Sequence, residues 1–418
     1  MSATFGILVG GGPAPGINGV IGAAATAALN SGARVLGIFD GFKWLMEGTD
    51  AAAIQDHVRE LTAEEVASIH LHGGSVLRTS RANPTKQEQH LHNCVATLDS
   101  LGIDHLVTIG GDDTAFSSKS VSDAAEGRIG VVHVPKTIDN DLPLPEGMPT
   151  FGYETARDCA TAVVENISED CRTTSRWFFI VMMGRKAGHL ALGSGMSAGA
   201  TVTLIPEEFA SGGLIRLQDV SRILEGAVIK RLASGHSDGV AVIAEGVAEF
   251  LDPNDLAVLK DVARDEHGHI RLADVPLGRV LADAVKDSLK DRGISVAIGT
   301  KDVGYELRCA DPCAFDREYT RDLGYGAVEA LQTGRSAVLI TRQKGSIVPI
   351  DFEDLIDPGT GKTRVRMVDT NTDSYRHARA LQTRITPEDL DDSQRLDEIA
   401  AAGGMKPDEV RARFGSSV

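Results

Sequence analysis

The segment Pro135-Lys136-Thr137-Ile138-Asp139-Asn140-Asp141 follows Gly110-Gly111-Asp112-Asp113-Thr114 by about twenty residues. Together they place glycines, four carboxylates and one lysine at the ends of two predicted strands. In the later segment Asp139 and Asp141 are two residues apart, close enough to perturb each other, so that one can serve as a base while the other orients a metal or cation. Lys136 brings positive charge to where phosphate charge would develop. In the earlier segment the glycines let a ligand approach the backbone. Asp112 is a candidate Mg²⁺ ligand, because Mg²⁺ favours one or two carboxylates together with substrate phosphate oxygens. Taken alone, each segment also reads as a solvated acidic turn. Taken together, they carry the chemistry of phosphoryl transfer with a metal.

A third element is the loop Gly10-Gly11-Gly12-Pro13-Ala14-Pro15-Gly16. Backbone N–H groups without side chains, followed by the N-terminus of a helix, suit an anion such as phosphate. The loop is not a Walker loop, since it lacks Gly-Lys-Ser/Thr. Nor is it a dinucleotide fingerprint, because Pro15 stands where the third glycine would fall. A tight strand-to-helix turn without ligand is the plainer alternative. Cys94, Cys159, Cys171, Cys309 and Cys313 are odd in number and contain no CxxC pair, which predicts reduced and mostly buried thiols. Cys309 and Cys313 would make half a metal site, but no second half follows. The pairs His70/His72 and His90/His92 lie in mixed polar sequence and read as solvated.

The elements that must position these residues alternate strand and helix. Phe5 to Val9 reads as a strand, Ile17 to Asn30 as an alanine-rich helix and Arg34 to Phe39 as a second strand, which is a parallel βαβ unit. Further buried strands are predicted at Leu106 to Ile109, Gly130 to Val134, Trp177 to Met183, Gly239 to Ala244, Ser295 to Ile298 and Ala337 to Ile340. One apolar face predicts a helix over Glu154 to Arg172. Residues 252–291 read as charged and helical with breaks near Gly268 and Pro276, and Thr386-Pro387 as a helix start. The pattern implies an α/β fold with parallel sheets covered by helices on both faces, and ligands beyond the carboxyl ends of the strands. At 418 residues the chain is long enough for two or three domains. Its net charge of −17 argues against nucleic acid and anionic membrane as partners. With no long apolar run and no charged region before one at the N-terminus, neither a spanning helix nor a signal peptide is expected, and a cytoplasmic location is.

GGDDT, PKTIDND, Met183-Gly184-Arg185, Gly188-His189-Leu190-Ala191-Leu192, Ile205-Pro206-Glu207, Ala244-Glu245-Gly246 and Gly304-Tyr305-Glu306-Leu307-Arg308 occur in the order and rough spacing of the phosphofructokinase family. The resemblance spans about residues 5 to 345. It implies a two-lobed fold. Residues 1–145, joined by part of 310–418, would bind the phosphoryl donor and Mg²⁺; residues 146–310, with a helical insertion over 250–292, would bind the sugar phosphate. The implied activity is phosphorylation of the 1-hydroxyl of fructose 6-phosphate, a step of glycolysis. Asp139 matches the family's proton acceptor, Thr137 sits against the transferred group with Ile138 between them, and Asp112 matches the Mg²⁺ position. Met183, Gly184, Arg185, Glu245, Tyr305, Glu306, Leu307 and Arg308 align with the sugar-phosphate site. Arg176 matches an arginine that reaches into a neighbouring subunit's site, which implies a homodimer or homotetramer. Guanidinium forks at Arg176, Arg185 and Arg308 suit a 6-phosphate dianion. Gly11 and Arg81 are the donor-side candidates. The usual GGDAPG loop has an aspartate where this chain has Pro13.

Asp113 and Lys136 bear on which donor is used, because ATP-using relatives typically have glycine at both positions. Asp113 puts a carboxylate where a nucleotide's α-phosphate would lie. Like charges at about 4 Å cost about 4 kcal/mol at an effective dielectric of 20, close to a thousandfold in affinity. Lys136 can bind the leaving phosphate of a shorter donor. The pair resembles the pyrophosphate-dependent branch and implies reversible transfer; an ATP-dependent 6-phosphofructokinase is the alternative. Tyr305, where histidine is usual, raises sedoheptulose 7-phosphate as a second acceptor. A nicotinamide-binding oxidoreductase is disfavoured by the missing fingerprint, and a non-catalytic sugar-phosphate sensor by the joint presence of Asp139, Lys136 and Asp112.

Overall fold

A computed structural model describes residues 2–48, 50–145, 147–209, 213–252, 254–255, 275–355, 359 and 364–415. Among them the strands are β1 (Thr4–Val9), β2 (Arg34–Ile38), β3 (Val58–Glu60), β4 (His105–Gly110), β5 (Gly130–Pro135), β6 (Trp177–Met182), β7 (Val202–Leu204), β8 (Gly239–Ala244), β9 (Ile298–Val303), β10 (Val338–Gln343) and β11 (Ser346–Asp351). They form two sheets and two compact units. Met1–Ala156 with Tyr305–Arg366 makes one unit, and Arg157–Gly304 with Met367–Val418 the other.

The first unit holds a seven-stranded sheet in the order β11-β10-β5-β4-β1-β2-β3. Its inner strands are parallel, and the edge strands β3 and β11 are antiparallel to their neighbours. β1 is buried along its whole length, as a strand covered on both faces must be. Phe5, Ile7 and Val9 point to one face, where Ile17, Val20 and Ile21 of the helix Ile17–Asn30 and Tyr319 and Leu323 of the helix Ala314–Gln332 meet them. Leu8 points to the other, against Val95 and Leu98 of the helix Glu88–Ser100 and Val121 of the helix Asp112–Ala125. This two-residue alternation brings the carboxyl ends of β1, β4 and β5 out at one edge of a sandwiched sheet.

The second unit holds the parallel sheet β7-β8-β6-β9. Phe179, Val181, Ala241 and Ile243 pack with Leu224 and Val228 of the helix Leu217–Ala233, Leu281 and Val285 of the helix Leu277–Lys290, and Ile399, Val410 and Phe414 near the C-terminus. The C-terminal residues 393–414 are therefore part of this core. Within it Glu225 is 1% exposed and is paired with Arg292 and Arg413.

Two expectations change, at the strand near residue 295 and at the burial of the thiols. The strand sought at 295–298 starts at Ile298 and runs to Val303, because β9 is an edge strand whose middle residues Thr300, Lys301 and Asp302 are exposed. The break expected near Pro276 is present, the helix Leu277–Lys290 starting directly after it, while residues 256–274, with the break expected near Gly268, lie outside those described. None of the five cysteines is in a disulfide, but only Cys94 and Cys171 are buried and Cys309 is exposed. The helix predicted over 154–172 spans Tyr153–Thr174. Thr386 caps the helix Pro387–Asp391 by accepting from the Asp389 N–H, and Asp389 Oδ2 accepts from the Thr386 N–H at 2.9 Å in return. No helix among the described residues is long and apolar enough to cross a membrane.

Candidate active site

In the first unit the loops after β1, β4 and β5 converge. Gly10 N–H donates to Ile109 O at 2.8 Å and Gly11 N–H to Ser80 O at 2.8 Å, which draws Thr79-Ser80-Arg81 alongside the first loop. Thr79 Oγ1 donates to Gly11 O at 2.7 Å. Gly11 has φ +81° and Gly16, which starts the helix Ile17–Asn30, has φ +97°, the left-handed region that glycine enters without steric cost. At Gly12 the neighbour is close rather than the backbone left-handed: a Cβ there would lie 2.0 Å from Arg308 Nη2.

Lys136 is 4% exposed. Its N–H donates to Gly110 O at 2.7 Å, and its Nζ donates to Gly12 O, so one residue ties the loops after β1, β4 and β5 together. Asp139, 8% exposed, presents its N–H to Thr137 Oγ1 at 3.0 Å. Asn140 then takes φ +56° and reverses the chain. Thr150 clamps this turn, its Oγ1 donating to Thr137 O at 2.7 Å and its N–H to Asn140 Oδ1 at 3.0 Å. Ile138 is buried and Thr137 half-buried. Asp112 and Asp113 open the helix Asp112–Ala125, where its positive end favours carboxylates; Asp112 is half-buried and Asp113 exposed.

Beneath this edge lies a histidine that the sequence reading passed over. His133 on β5 is fully buried, its Nε2 3.0 Å from Gly110 O and its Nδ1 2.9 Å from Thr108 Oγ1. A carbonyl only accepts, so Nε2 carries the proton and Nδ1 accepts from the threonine. Burial holds the ring neutral, with its pKa lowered to about 3; the hydrogen bond to Gly110 opposes this and the Lys136 charge reinforces it. A lone histidine in an apolar strand just ahead of Lys136 was the available signal.

Arg308 follows the turn Tyr305–Leu307. Its guanidinium sits against Gly12 and Pro13, with Nε 3.4 Å from Pro13 O, and over the Tyr305 ring at 5.4 Å. Burial first, then the charge of Arg81, pull its pKa below the usual arginine range, while Tyr305, Cys309 and Asp139 act in the opposite direction. Arg81 and Arg308 thus bring two guanidinium charges to the glycine loop. Tyr305 and Glu306 are exposed, and Leu307 is buried.

In the second unit the carboxyl ends of β6, β8 and β9 meet. Met183 N–H donates to Val303 O at 2.9 Å. Glu245 Oε1 accepts from the Gly184 N–H at 3.1 Å and the Arg185 N–H at 2.8 Å, which holds Arg185 at φ +47°. Burial raises the Glu245 pKa, while those two N–H groups and the Arg185 charge pull it back. The Arg185 side chain is exposed. Arg176 is half-exposed, bound to Asp170 Oδ2 through Nε at 3.0 Å and Nη2 at 2.5 Å, with its guanidinium 5.1 Å over the Phe178 ring.

Among the described residues no group of three His, Cys, Asp or Glu side chains forms a metal cage. One half-buried carboxylate at a helix start beside a glycine loop fits Mg²⁺, which keeps waters and takes substrate phosphates as its other ligands.

The phosphofructokinase family model matches residues 4–331. The chain belongs to the phosphofructokinase family. It is 50% identical over 419 residues to the pyrophosphate–fructose 6-phosphate 1-phosphotransferase of Thermotoga maritima, covering 99% of this chain and 98% of that protein. To the protein of the same name from Naegleria fowleri it is 48% identical over 419 residues, covering 98% of this chain and 95% of that one. Among solved structures, Pichia pastoris phosphofructokinase in the T-state matches with a TM-score of 0.68 at 22% identity over 85% of this chain. This member of the family spans 37% of the length of that fungal chain. The fungal match bears on the fold alone: two α/β units with parallel sheets between helices, as the strand pattern predicts.

Proposed function

We propose that the chain transfers a phosphoryl group reversibly from inorganic pyrophosphate to the 1-hydroxyl of fructose 6-phosphate, giving fructose 1,6-bisphosphate and phosphate. The observation that carries the choice of donor is Lys136: a buried ammonium bonded to the glycine loop, in the same unit as Asp113, where the family's ATP users typically have two glycines. The names of the two relatives at about half identity support it.

In this reading the first unit takes the donor. Backbone amides of the Gly10–Gly16 loop, with Gly11, Arg81 and Lys136, hold pyrophosphate, and Asp112 holds Mg²⁺, which neutralises phosphate charge when bound. Thr137 and Ile138 line the path of the transferred group. The resemblance assigns Met183, Gly184, Arg185 and Glu245 to the sugar phosphate, and likewise Tyr305, Glu306, Leu307 and Arg308; it assigns Arg176 to a neighbouring subunit's site in a homodimer or homotetramer. The sugar O1–H gives its proton to the Asp139 carboxylate, O1 forms a bond to the nearer phosphorus, and the bridging P–O bond breaks. Lys136 stabilises the charge that then collects on the departing phosphate. Work inside the cytoplasm, in sugar-phosphate breakdown or its reverse, fits these substrates.

Phosphorus NMR on fructose 6-phosphate, pyrophosphate and Mg²⁺ tests the reading. Equimolar phosphate and fructose 1,6-bisphosphate should appear, and Asp139→Asn should abolish both. Phosphate release without sugar phosphorylation would contradict it. Sedoheptulose 7-phosphate belongs in the same assay as a second acceptor.

A further inference from the structure

Arg366 lies beyond the stretch matched by the family model, yet it grips the turn that carries Asp139. Its N–H donates to Asp141 O at 2.7 Å and its Nε to Asn140 O at 3.0 Å. Its Nη1 donates to Met148 O at 2.7 Å, and its Nη2 to Asn140 Oδ1. One planar fork therefore spans both ends of the turn: Asn140, in the left-handed conformation next to Asp139, and Met148, just before the Thr150 clamp. Asparagine is one of the few residues that enters this region, and it persists when surrounding contacts over-determine it. Arg366 and Thr150 share the Asn140 side-chain oxygen, so removing either loosens the other's hold. Arg366 is half-buried, and burial pulls its pKa below the usual arginine range while the Asp141 charge acts the other way.

We infer that Arg366 is a positioning residue for the proton acceptor: it fixes the backbone of residues 139–141 so that the Asp139 carboxylate is aimed before substrate arrives. The role rests on the reading of Asp139 as the base. In this role Arg366 acts through the turn rather than on the reacting atoms. Its five donors lie in one plane, and three of them reach different oxygens, a pattern that the point charge of lysine cannot reproduce.

The test uses Arg366→Lys and Arg366→Met in the full-length enzyme, with two readouts. The first is steady-state kinetics with pyrophosphate and fructose 6-phosphate. Misplacing a reacting group by about 1 Å costs on the order of a hundredfold. We therefore expect kcat to fall roughly ten- to a hundredfold for the lysine variant and further for the methionine variant, with both KM values within about threefold of the parent, since an interaction that matters only in the transition state spares KM. The second readout is backbone hydrogen exchange of the ligand-free protein, which needs no activity: peptides covering 137–151 should exchange faster and the sheet strands as before. Faster local exchange with full kcat, a rise in KM alone, or unchanged exchange at 137–151 in both variants would each overturn the inference. A wild-type enzyme inert toward pyrophosphate, with the exchange result as expected, would remove the proposed reaction but leave Arg366 as the clamp of this turn.

Discussion

Replacing Lys136 by methionine isolates the charge that the donor argument needs. Methionine keeps a similar length and volume, so the buried site is not emptied. Lys136 is 4% exposed, so its charge acts through protein rather than water. At about 4 Å and an effective dielectric of 20, one unit charge stabilises another by about 4 kcal/mol. If that stabilisation is realised on the departing phosphate, its loss lowers kcat about a thousandfold at about 1.36 kcal/mol per tenfold. The variant also leaves Gly12 O without the Nζ donor, which costs about 1–3 kcal/mol of stability. Turnover must therefore be read per folded molecule, at a temperature where circular dichroism shows both proteins native. The assay is steady-state phosphorylation of fructose 6-phosphate with Mg-pyrophosphate, and phosphate-driven reversal from fructose 1,6-bisphosphate. Both directions should lose kcat/KM by the same factor, because they share one transition state and the overall equilibrium is unchanged. A kcat within tenfold of wild type, or a loss confined to the KM for pyrophosphate, would refute the assignment of Lys136 to transition-state charge.

Three further outcomes are expected. The double change Asp113→Gly, Lys136→Gly should weaken pyrophosphate use more than about a hundredfold and permit measurable ATP use; unchanged pyrophosphate kinetics would sink the donor argument. His133 is neutral in the fold with its pKa at about 3, so below about pH 6.5 the unfolded chain binds a proton that the folded one refuses. Its share of stability is present above that pH and is lost as pH falls towards 3, at about 1.4 kcal/mol per pH unit, and His133→Gln should lack that slope in urea unfolding from pH 6.5 to 4.5. Glu225→Ala would leave Arg292 and Arg413 facing each other in the second core and should cost about 3–5 kcal/mol, read as a lower urea midpoint; a loss under about 1 kcal/mol would show the cluster to be dispensable.

Much of the fold was legible because parallel strands buried on both faces are continuous apolar runs, as at Phe5–Val9 and Gly239–Ala244. Edges were less so. β7 is three residues long, and β9 spends its middle in solvent, so neither has the expected pattern. The hairpin from β10 to β11 turns through Lys344 at φ +51° and Gly345 at φ +83°, a two-residue loop whose second strand contains Pro349 and lies at the sheet edge where proline is tolerated. In the first unit, glycines and a lysine at strand ends marked loops that hydrogen bonds join: Lys136 Nζ donates to Gly12 O, and Gly11 N–H to Ser80 O. What supports them was not legible. Arg366 is 226 residues from Asn140 in the chain, and nothing in its local sequence marks a clamp. Nor did spacing reveal that the Arg308 guanidinium lies against Gly12, 296 residues away in the chain.

Asp113 is exposed, so water weakens its repulsion toward a nucleotide: the penalty falls between about 1 and about 4 kcal/mol, or roughly fivefold to a thousandfold in affinity. Comparing kcat/KM for Mg-pyrophosphate and MgATP on the wild-type enzyme at saturating fructose 6-phosphate therefore tests the central claim most directly. The account predicts that pyrophosphate is favoured by at least about fivefold. Equal or better turnover with MgATP would contradict it.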